Sequence, residues 1–224
     1  MTVSKMINKV RGSDVWPVLA PLVVGAAYAW WRYHRFSFEN SLILIVVVAV
    51  VKWALDLITQ NHRYDQSLIT LSWIADVILP YLLLVAQLVV NTNFALSLGF
   101  LLTWFGVAWP LILLSVAVRL AKNVRVVRAE EISDPTGAIK ASSRWIRPLF
   151  LTLPFLAYGE ILLYTLSGYM PVLSWAMIVL FPLVLAQALA VGLESDLDRL
   201  ADLPARNLFL TAGAMVLVLV ISSS

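Results

Sequence analysis

Seven apolar stretches, each close to the length of one bilayer crossing, constrain this chain more than any other feature. An α-helix needs about 20 apolar residues to cross the hydrocarbon core, and none of these stretches alternates polar and apolar residues as a barrel strand does. We therefore expect an all-α fold, a polytopic transmembrane helical bundle that forms a single domain over residues 1–224. The predicted spans are approximately Trp16–Tyr33, Leu42–Thr59, Leu71–Val90, Phe94–Val118, Leu149–Tyr169, Val172–Val191 and Asn207–Ile221.

The overall composition excludes most soluble protein classes. Of the 224 residues, 61% are hydrophobic and 13% are charged, whereas soluble domains carry about 45–50% apolar and about 25% charged residues. These values argue against a soluble enzyme, a disordered chain and a nucleic-acid-binding domain. The chain contains no cysteine, which also excludes disulfides, thiolate metal sites and cysteine nucleophiles.

The basic residues fall mainly on one side of the seven-span arrangement. Thirteen of them precede the first span or follow spans two, four and six, whereas the other side carries only Arg32 and Arg35. By the positive-inside rule, the side with more basic residues faces the cytoplasm. We therefore expect an integral protein of the cell membrane with a cytoplasmic N-terminus and an external C-terminus.

The longest predicted loop, about residues 119–147 on the cytoplasmic side, carries a regular series of basic residues. From Arg119 to Arg128, every third residue is basic. One interpretation is a solvated extension of span four that touches anionic lipid headgroups. The other is a basic lid over an anionic substrate such as a diphosphate.

Two clusters of polar residues end spans two and six, on the same predicted side of the membrane. Asn61 and Asp65 are four residues apart, as are Glu194 and Asp198, so each pair would lie on one face of a continuing helix. Two facing sets of oxygen ligands suit Mg²⁺, which commonly bridges carboxylates to substrate phosphates. The alternative is a pair of ordinary polar loops whose acids are solvated.

Four ionisable residues lie within or close to the predicted spans. Lys52 and Asp56 are four residues apart in span two. Because ionised groups are costly in lipid, such a pair either neutralises itself or lines a cavity. Asp76, near the start of span three, and Glu160, inside span five, each need a polar partner, and Glu160 is the better candidate to line a cavity.

Four segments together are similar to one known family. They are Pro17–Ala29 with its Gly25 and Tyr28, the sequence Asn-His-Arg-Tyr-Asp at 61–65, Gly159-Glu160, and Glu194-x-x-x-Asp198-Arg199. In this order the segments resemble the UbiA superfamily of membrane prenyltransferases over nearly the whole chain. The resemblance is greatest to the branch that prenylates 1,4-dihydroxy-2-naphthoate in menaquinone synthesis.

This resemblance implies a prenyl-transfer activity. In the family, two acidic motifs bind Mg²⁺ and a prenyl diphosphate, and the prenyl cation alkylates an electron-rich aromatic ring. The expected function is transfer of a polyprenyl group from prenyl diphosphate to an aromatic quinone precursor of the menaquinone type. The implied catalytic and metal-binding residues are Asn61, Asp65, Glu194 and Asp198, and the implied substrate-binding residues are Lys52, Asp56, Arg63, Glu160 and Arg199.

Departures from the family pattern support one alternative function, and the ionisable residues of the spans support another, which ranks last. His62 stands where the family has the leading acid of its first motif, the last acid falls near Ile69, and the family usually has nine helices. One alternative is a catalytically inactive relative that binds a prenyl lipid, a quinone or a pigment, or serves as a membrane subunit with a protein partner. The other is a small transporter, whose polar path would be lined by Lys52, Asp56, Asp76 and Glu160.

Overall fold

The computed structural model describes residues 12–61, 66–92, 98–133, 143–193 and 202–223, with side chains described at 17–50, 78–92, 101, 104–121, 148–190 and 202–223. All regular secondary structure within these residues is helical. A 3₁₀-helix, Val172–Leu180, leads directly into α6. The α-helices are α1 (Gly12–Tyr33), α2 (Phe38–Asn61), α3 (Gln66–Thr92), α4 (Leu98–Ser133), α5 (Ser143–Leu166), α6 (Phe181–Leu193) and α7 (Asp202–Ile221).

The length and hydropathy of the helices indicate a membrane protein. Four stretches are long and apolar enough to cross a membrane: Trp104–Ala121, Pro148–Leu166, Val172–Ala190 and Asp202–Ile221. Helices satisfy every backbone hydrogen bond internally, which the hydrocarbon core requires. The predicted all-α class is thus confirmed for the described residues, whereas the count of seven crossings stays a prediction.

The core of the bundle is built around α4. This helix packs against α3, α5 and α7, while α1 packs along α3 and α7, and α6 lies between α5 and α7. Ala108, Leu111 and Leu114 of α4 are almost completely buried. The α2 helix packs against α1 and α3, and several of its apolar side chains, such as Ile43 and Val46, are exposed. Exposed apolar side chains of this kind suit a surface in contact with lipid.

A hydrogen-bonded asparagine fastens the connection between α1 and α2 to the end of α3. The Asn91 side-chain oxygen accepts the backbone N–H of Ser37 at 2.6 Å. Its side-chain nitrogen donates to the Ser41 hydroxyl at 3.1 Å and to the Gln87 carbonyl at 2.7 Å. Because Asn91 is buried, these bonds satisfy polar atoms that water does not reach.

The predicted 119–147 loop begins as helix. The α4 helix continues to Ser133 and α5 begins at Ser143, so the series of basic residues from Arg119 to Arg128 belongs to α4. This finding agrees with the helical-extension interpretation as far as the backbone is concerned. Contact with lipid headgroups and closure over a diphosphate both stay predictions.

The sixth predicted span, expected as one helix over Val172–Val191, consists of two different helices. Within its 3₁₀ part, Ser174 and Met177 are buried and the residues between them are exposed, which matches three residues per turn. Pro182 gives a physical reason for the change from 3₁₀-helix to α-helix at this point. It has no N–H, and in a continuous α-helix its ring would clash with the Ile178 carbonyl four residues earlier. Here the Phe181 N–H donates to that carbonyl instead.

Candidate functional site

Most residues predicted for the Mg²⁺ and diphosphate site lie outside the described part of the chain. The connections 62–65 and 194–201 contain five of them: Arg63, Asp65, Glu194, Asp198 and Arg199. Three others lie on α2, where the structure describes the backbone but not these side chains: Lys52, Asp56 and Asn61. Their predicted roles in binding metal and substrate stay predictions.

The helix ends that flank the two motifs lie at the same end of the bundle. Gly25 of α1 lies against Leu84 and Gln87 of α3, and Ser37, just after α1, bonds to Asn91 at the end of α3, so α1 and α3 run in the same direction. The connections between successive helices are short, so α2, α4 and α6 run the opposite way and α7 runs with α1. We call the end where α1 begins the basic end and the opposite end the tyrosine end.

Glu160 is the predicted site residue whose side chain falls within the described part. It lies on α5, is partly buried and precedes Tyr164 by one helical turn. The Tyr164 hydroxyl lies close to Gly106 of α4 and within electrostatic range of Glu160. Glu160 is 17 residues from the start of α5, or about 25 Å at 1.5 Å per residue. It therefore lies in the half of the bundle nearer the tyrosine end, away from the helix ends that flank the motifs.

Aromatic side chains close the tyrosine end. The Tyr28 hydroxyl donates to the Tyr169 carbonyl at 2.6 Å, and its ring contacts Trp31 and Trp104 edge-on, with centroids 5.3 Å and 4.4 Å away. The Tyr164 and Tyr169 rings are 5.5 Å apart. These contacts join α1, α4 and the segment after α5, and they suit the Tyr and Trp enrichment of a membrane interface.

Two carboxamide side chains lie on α6 and α7, which pack against each other, in the half of the bundle nearer the basic end. Asn207 is 3% exposed, and its nitrogen donates to the Val184 carbonyl at 3.1 Å. Gln187 follows Val184 by three residues on α6. The buried Oδ1 of Asn207 and Oε1 of Gln187 have no hydrogen-bond partner within the described residues. We call Asn207 and Gln187 the carboxamide pair.

An aromatic layer lies about one turn deeper in the bundle than the carboxamide pair. The Tyr158 and Thr211 hydroxyls are 3.2 Å apart. The Phe181 ring contacts those of Phe155 and Tyr158, with centroids 4.9 Å and 5.3 Å away. Thr211 follows Asn207 by four residues and Phe181 precedes Val184 by three, so the layer and the pair occupy successive turns of the same two helices.

The chemistry of this region is that of a hydrogen-bond acceptor beside an aromatic surface. Among the described residues, no group of three His, Cys, Asp or Glu could hold a metal ion. The structure does not describe the side chains of the expected Mg²⁺ ligands, so Mg²⁺ binding stays a prediction. Sequence reasoning did not identify Asn207 as a site residue. The available signal was Asn207 and Thr211, spaced four apart in an otherwise apolar stretch.

Comparison with known proteins gives no relative. No protein-family model, curated protein or solved structure matches this chain. The UbiA resemblance therefore depends on the four sequence segments alone.

Proposed function

We propose that this chain is a UbiA-like membrane prenyltransferase that transfers a polyprenyl group from its diphosphate to an aromatic quinone precursor of the menaquinone type. The proposal is supported by two sequence pairs, Asn61 with Asp65 and Glu194 with Asp198, together with the positions of the helices that flank them. One sequence segment follows α2 and the other follows α6, and the flanking helix ends lie at the same end of the bundle. Residues of both segments can then bind one ligand.

The residue types in these segments suit capture of a diphosphate. Asn61, Asp65, Glu194 and Asp198 offer only oxygen ligands, the type that Mg²⁺ prefers. When bound, Mg²⁺ would supply positive charge against the diphosphate leaving group. The guanidinium groups of Arg63 and Arg199 can pair with the remaining phosphate oxygens in bidentate fashion.

Besides capture of the diphosphate, the reaction requires an apolar environment for the prenyl group, which the apolar helices can provide. A polyprenyl tail is itself apolar, so it is stabilised by contact with the bundle and the surrounding lipid. A site enclosed by such helices excludes water, which would otherwise quench the prenyl cation before the aromatic ring attacks.

A prenyl-transfer assay in nanodiscs tests the proposal. Purified protein receives a polyprenyl diphosphate, 1,4-dihydroxy-2-naphthoate and Mg²⁺. We expect turnover that stops on metal chelation and falls about 100-fold or more in the double variant Asp65→Asn, Asp198→Asn, because the leaving-group charge loses its stabilisation. The matched control is Glu39→Gln, which removes an exposed carboxylate at the tyrosine end and should leave turnover unchanged.

Two results would contradict the proposal. One is absence of turnover in folded wild-type protein, and the other is turnover that needs neither Mg²⁺ nor the two aspartates. In the first case, Mg²⁺-independent binding of a polyprenyl lipid by the same preparation would support the catalytically inactive alternative.

A further inference from the structure

The carboxamide pair presents two acceptor atoms that lack donors. Burying a polar atom without a hydrogen bond is costly, and most buried polar atoms in proteins have a partner. At Asn207 the orientation is fixed, because the nitrogen is the atom that can donate to the Val184 carbonyl 3.1 Å away. The oxygen is then the atom left for a ligand, and it can accept a hydrogen bond from a hydroxyl group.

Gln187, three residues after Val184 on α6, carries the second such oxygen. On α6 the buried residues are Val184 and Ala188, three residues before Gln187 and one after it, so Gln187 borders the buried face of the helix. The Gln187 oxygen itself is buried. On α4, which packs against α7, Ser115 also has a buried hydroxyl without a partner among the described residues. Three helices thus contribute unsatisfied polar atoms to this half of the bundle.

The aromatic layer next to the carboxamide pair narrows the chemistry of the ligand. The Phe181 ring contacts those of Phe155 and Tyr158, with centroids 4.9 Å and 5.3 Å away, and aromatic rings pack favourably against a further ring. The aromatic side chains of one turn can pack against a ring, and the acceptor oxygens of the adjacent turn can accept hydrogen bonds from its hydroxyl groups. This combination suits an aromatic ligand that carries hydroxyl groups.

The position of the pair along the helices fits the proposed reaction. From Gln187, α6 continues for six residues to Leu193, immediately before Glu194 in the sequence. From Asn207 back to the start of α7 there are five residues. At 1.5 Å per residue both depths are about 8–9 Å. A ring held at this depth lies within the bundle and next to the helix ends that flank the diphosphate motifs.

We propose, on the basis of the proposed function, that Asn207 and Gln187 bind the hydroxyl groups of the aromatic acceptor. Their oxygens accept hydrogen bonds from the ring hydroxyls, and Phe155, Tyr158 and Phe181 contact the ring itself. The ligand class is a dihydroxylated aromatic compound, and the pair acts on binding and orientation rather than on the diphosphate.

A binding experiment without prenyl diphosphate and without Mg²⁺ tests this site directly. Titration calorimetry on protein in nanodiscs, under anaerobic conditions, compares 1,4-dihydroxy-2-naphthoate with its 1,4-dimethoxy analogue, which cannot donate. We expect the wild type to prefer the dihydroxy compound by about tenfold or more. Asn207→Leu and Gln187→Leu should each weaken binding of the dihydroxy compound and reduce this preference. Each variant is first checked for folding by thermal denaturation.

The matched control is Ser174→Ala. Ser174 is fully buried and its hydroxyl has no hydrogen-bond partner within the described part of the chain, but it lies in the 3₁₀-helix, away from the carboxamide pair. This variant should retain the wild-type affinities and the preference for the dihydroxy compound. If loss of any buried polar group weakened binding in general, all three variants would lose affinity for the dihydroxy compound equally. An equal loss in the three variants would overturn the inference.

The outcomes separate this inference from the proposed function. If the wild type shows no preference for the dihydroxy compound, or if both leucine variants keep it, the carboxamide pair does not bind the hydroxyl groups. If the preference depends on the pair but prenyl transfer is absent, the binding site is supported and the proposed reaction is wrong.

Discussion

At the scale of single residues, the contact between α4 and α5 depends on the missing side chain of Gly106. A Cβ atom at this position would overlap the phenol ring of Tyr164. Glu160 lies one turn before Tyr164 on the same helix. The small size of Gly106 therefore determines how closely Tyr164, and with it Glu160 on the same helix, can approach α4.

The substitution Gly106→Ala should lower the free energy of unfolding by about 1–3 kcal/mol, the usual range for overpacking. Thermal denaturation in detergent measures this effect. Gly213→Ala is the matched control, because a Cβ at Gly213 meets nothing within 4 Å. It should leave stability unchanged or raise it slightly, since alanine is the better helix former. Equal melting temperatures for the two variants would refute the close contact.

A second prediction at this scale concerns the contribution of Asn91 to stability. Asn91→Leu removes the acceptor of the Ser37 N–H and the donor to Ser41, and should cost about 1–3 kcal/mol because buried partners lose their hydrogen bonds. Asn40→Leu, at an exposed position of α2, is the control and should change stability little. Thermal denaturation of both variants checks the prediction, which a similar loss at Asn40 would contradict.

At the scale of elements, the 3₁₀-helix before α6 is the feature that hydropathy could not predict. Residues 172–180 read Val-Leu-Ser-Trp-Ala-Met-Ile-Val-Leu, and in such an apolar run a repeat of 3.0 residues looks the same as one of 3.6. The existence of the helices was predictable, because an apolar segment in lipid must satisfy its backbone hydrogen bonds internally. The position at which α4 ends, Ser133, was not predictable from hydropathy, because the last turns of this helix are polar.

Replacing Pro182 should let the 3₁₀-helix convert to an α-helix. Pro182→Ala restores the N–H and removes the ring clash with Ile178. Nine residues then shorten by about 4 Å, because the rise falls from about 2.0 to 1.5 Å per residue. The chain has no cysteine, so spin labels at Val172→Cys and Ala186→Cys, both exposed positions, report this distance by pulsed electron spin resonance.

The matched control for this measurement is Pro148→Ala in the same labelled background. Pro148 is exposed and lies on α5, so its replacement should not change the distance between the labels. An unchanged distance in the Pro182 variant as well would mean that other contacts, such as the burial of Ser174 and Met177, impose the 3₁₀ geometry.

At the scale of the whole molecule, the distribution of basic residues predicts the orientation in the membrane. Thirteen basic residues are assigned to the basic end and two to the tyrosine end, so the tyrosine end should be external. The candidate site was predictable only in part. The sequence marks Asn207 and Gln187 as polar residues in apolar stretches, but the burial of their oxygens depends on the rotation of α6 and α7 about their axes.

Cysteine labelling in intact cells tests this orientation. Ser167→Cys lies in the exposed connection after α5 at the tyrosine end and should react with a membrane-impermeant maleimide. Thr136→Cys, between α4 and α5 in the sequence, should react only after the membrane is permeabilised. The cysteine-free wild type gives the background, and the reverse pattern would mean that the N-terminus is external.

The length of α4 has a practical consequence. Its 36 residues span about 54 Å, whereas the hydrocarbon core is about 30 Å thick. The apolar stretch ends at Ala121, and the helix continues for twelve more residues to Ser133. The final turns of α4 thus extend the central helix beyond the apolar stretch that is able to cross a membrane. A dye attached near Ser133 would follow tilting of the core directly, with no flexible joint between the dye and the centre of the bundle.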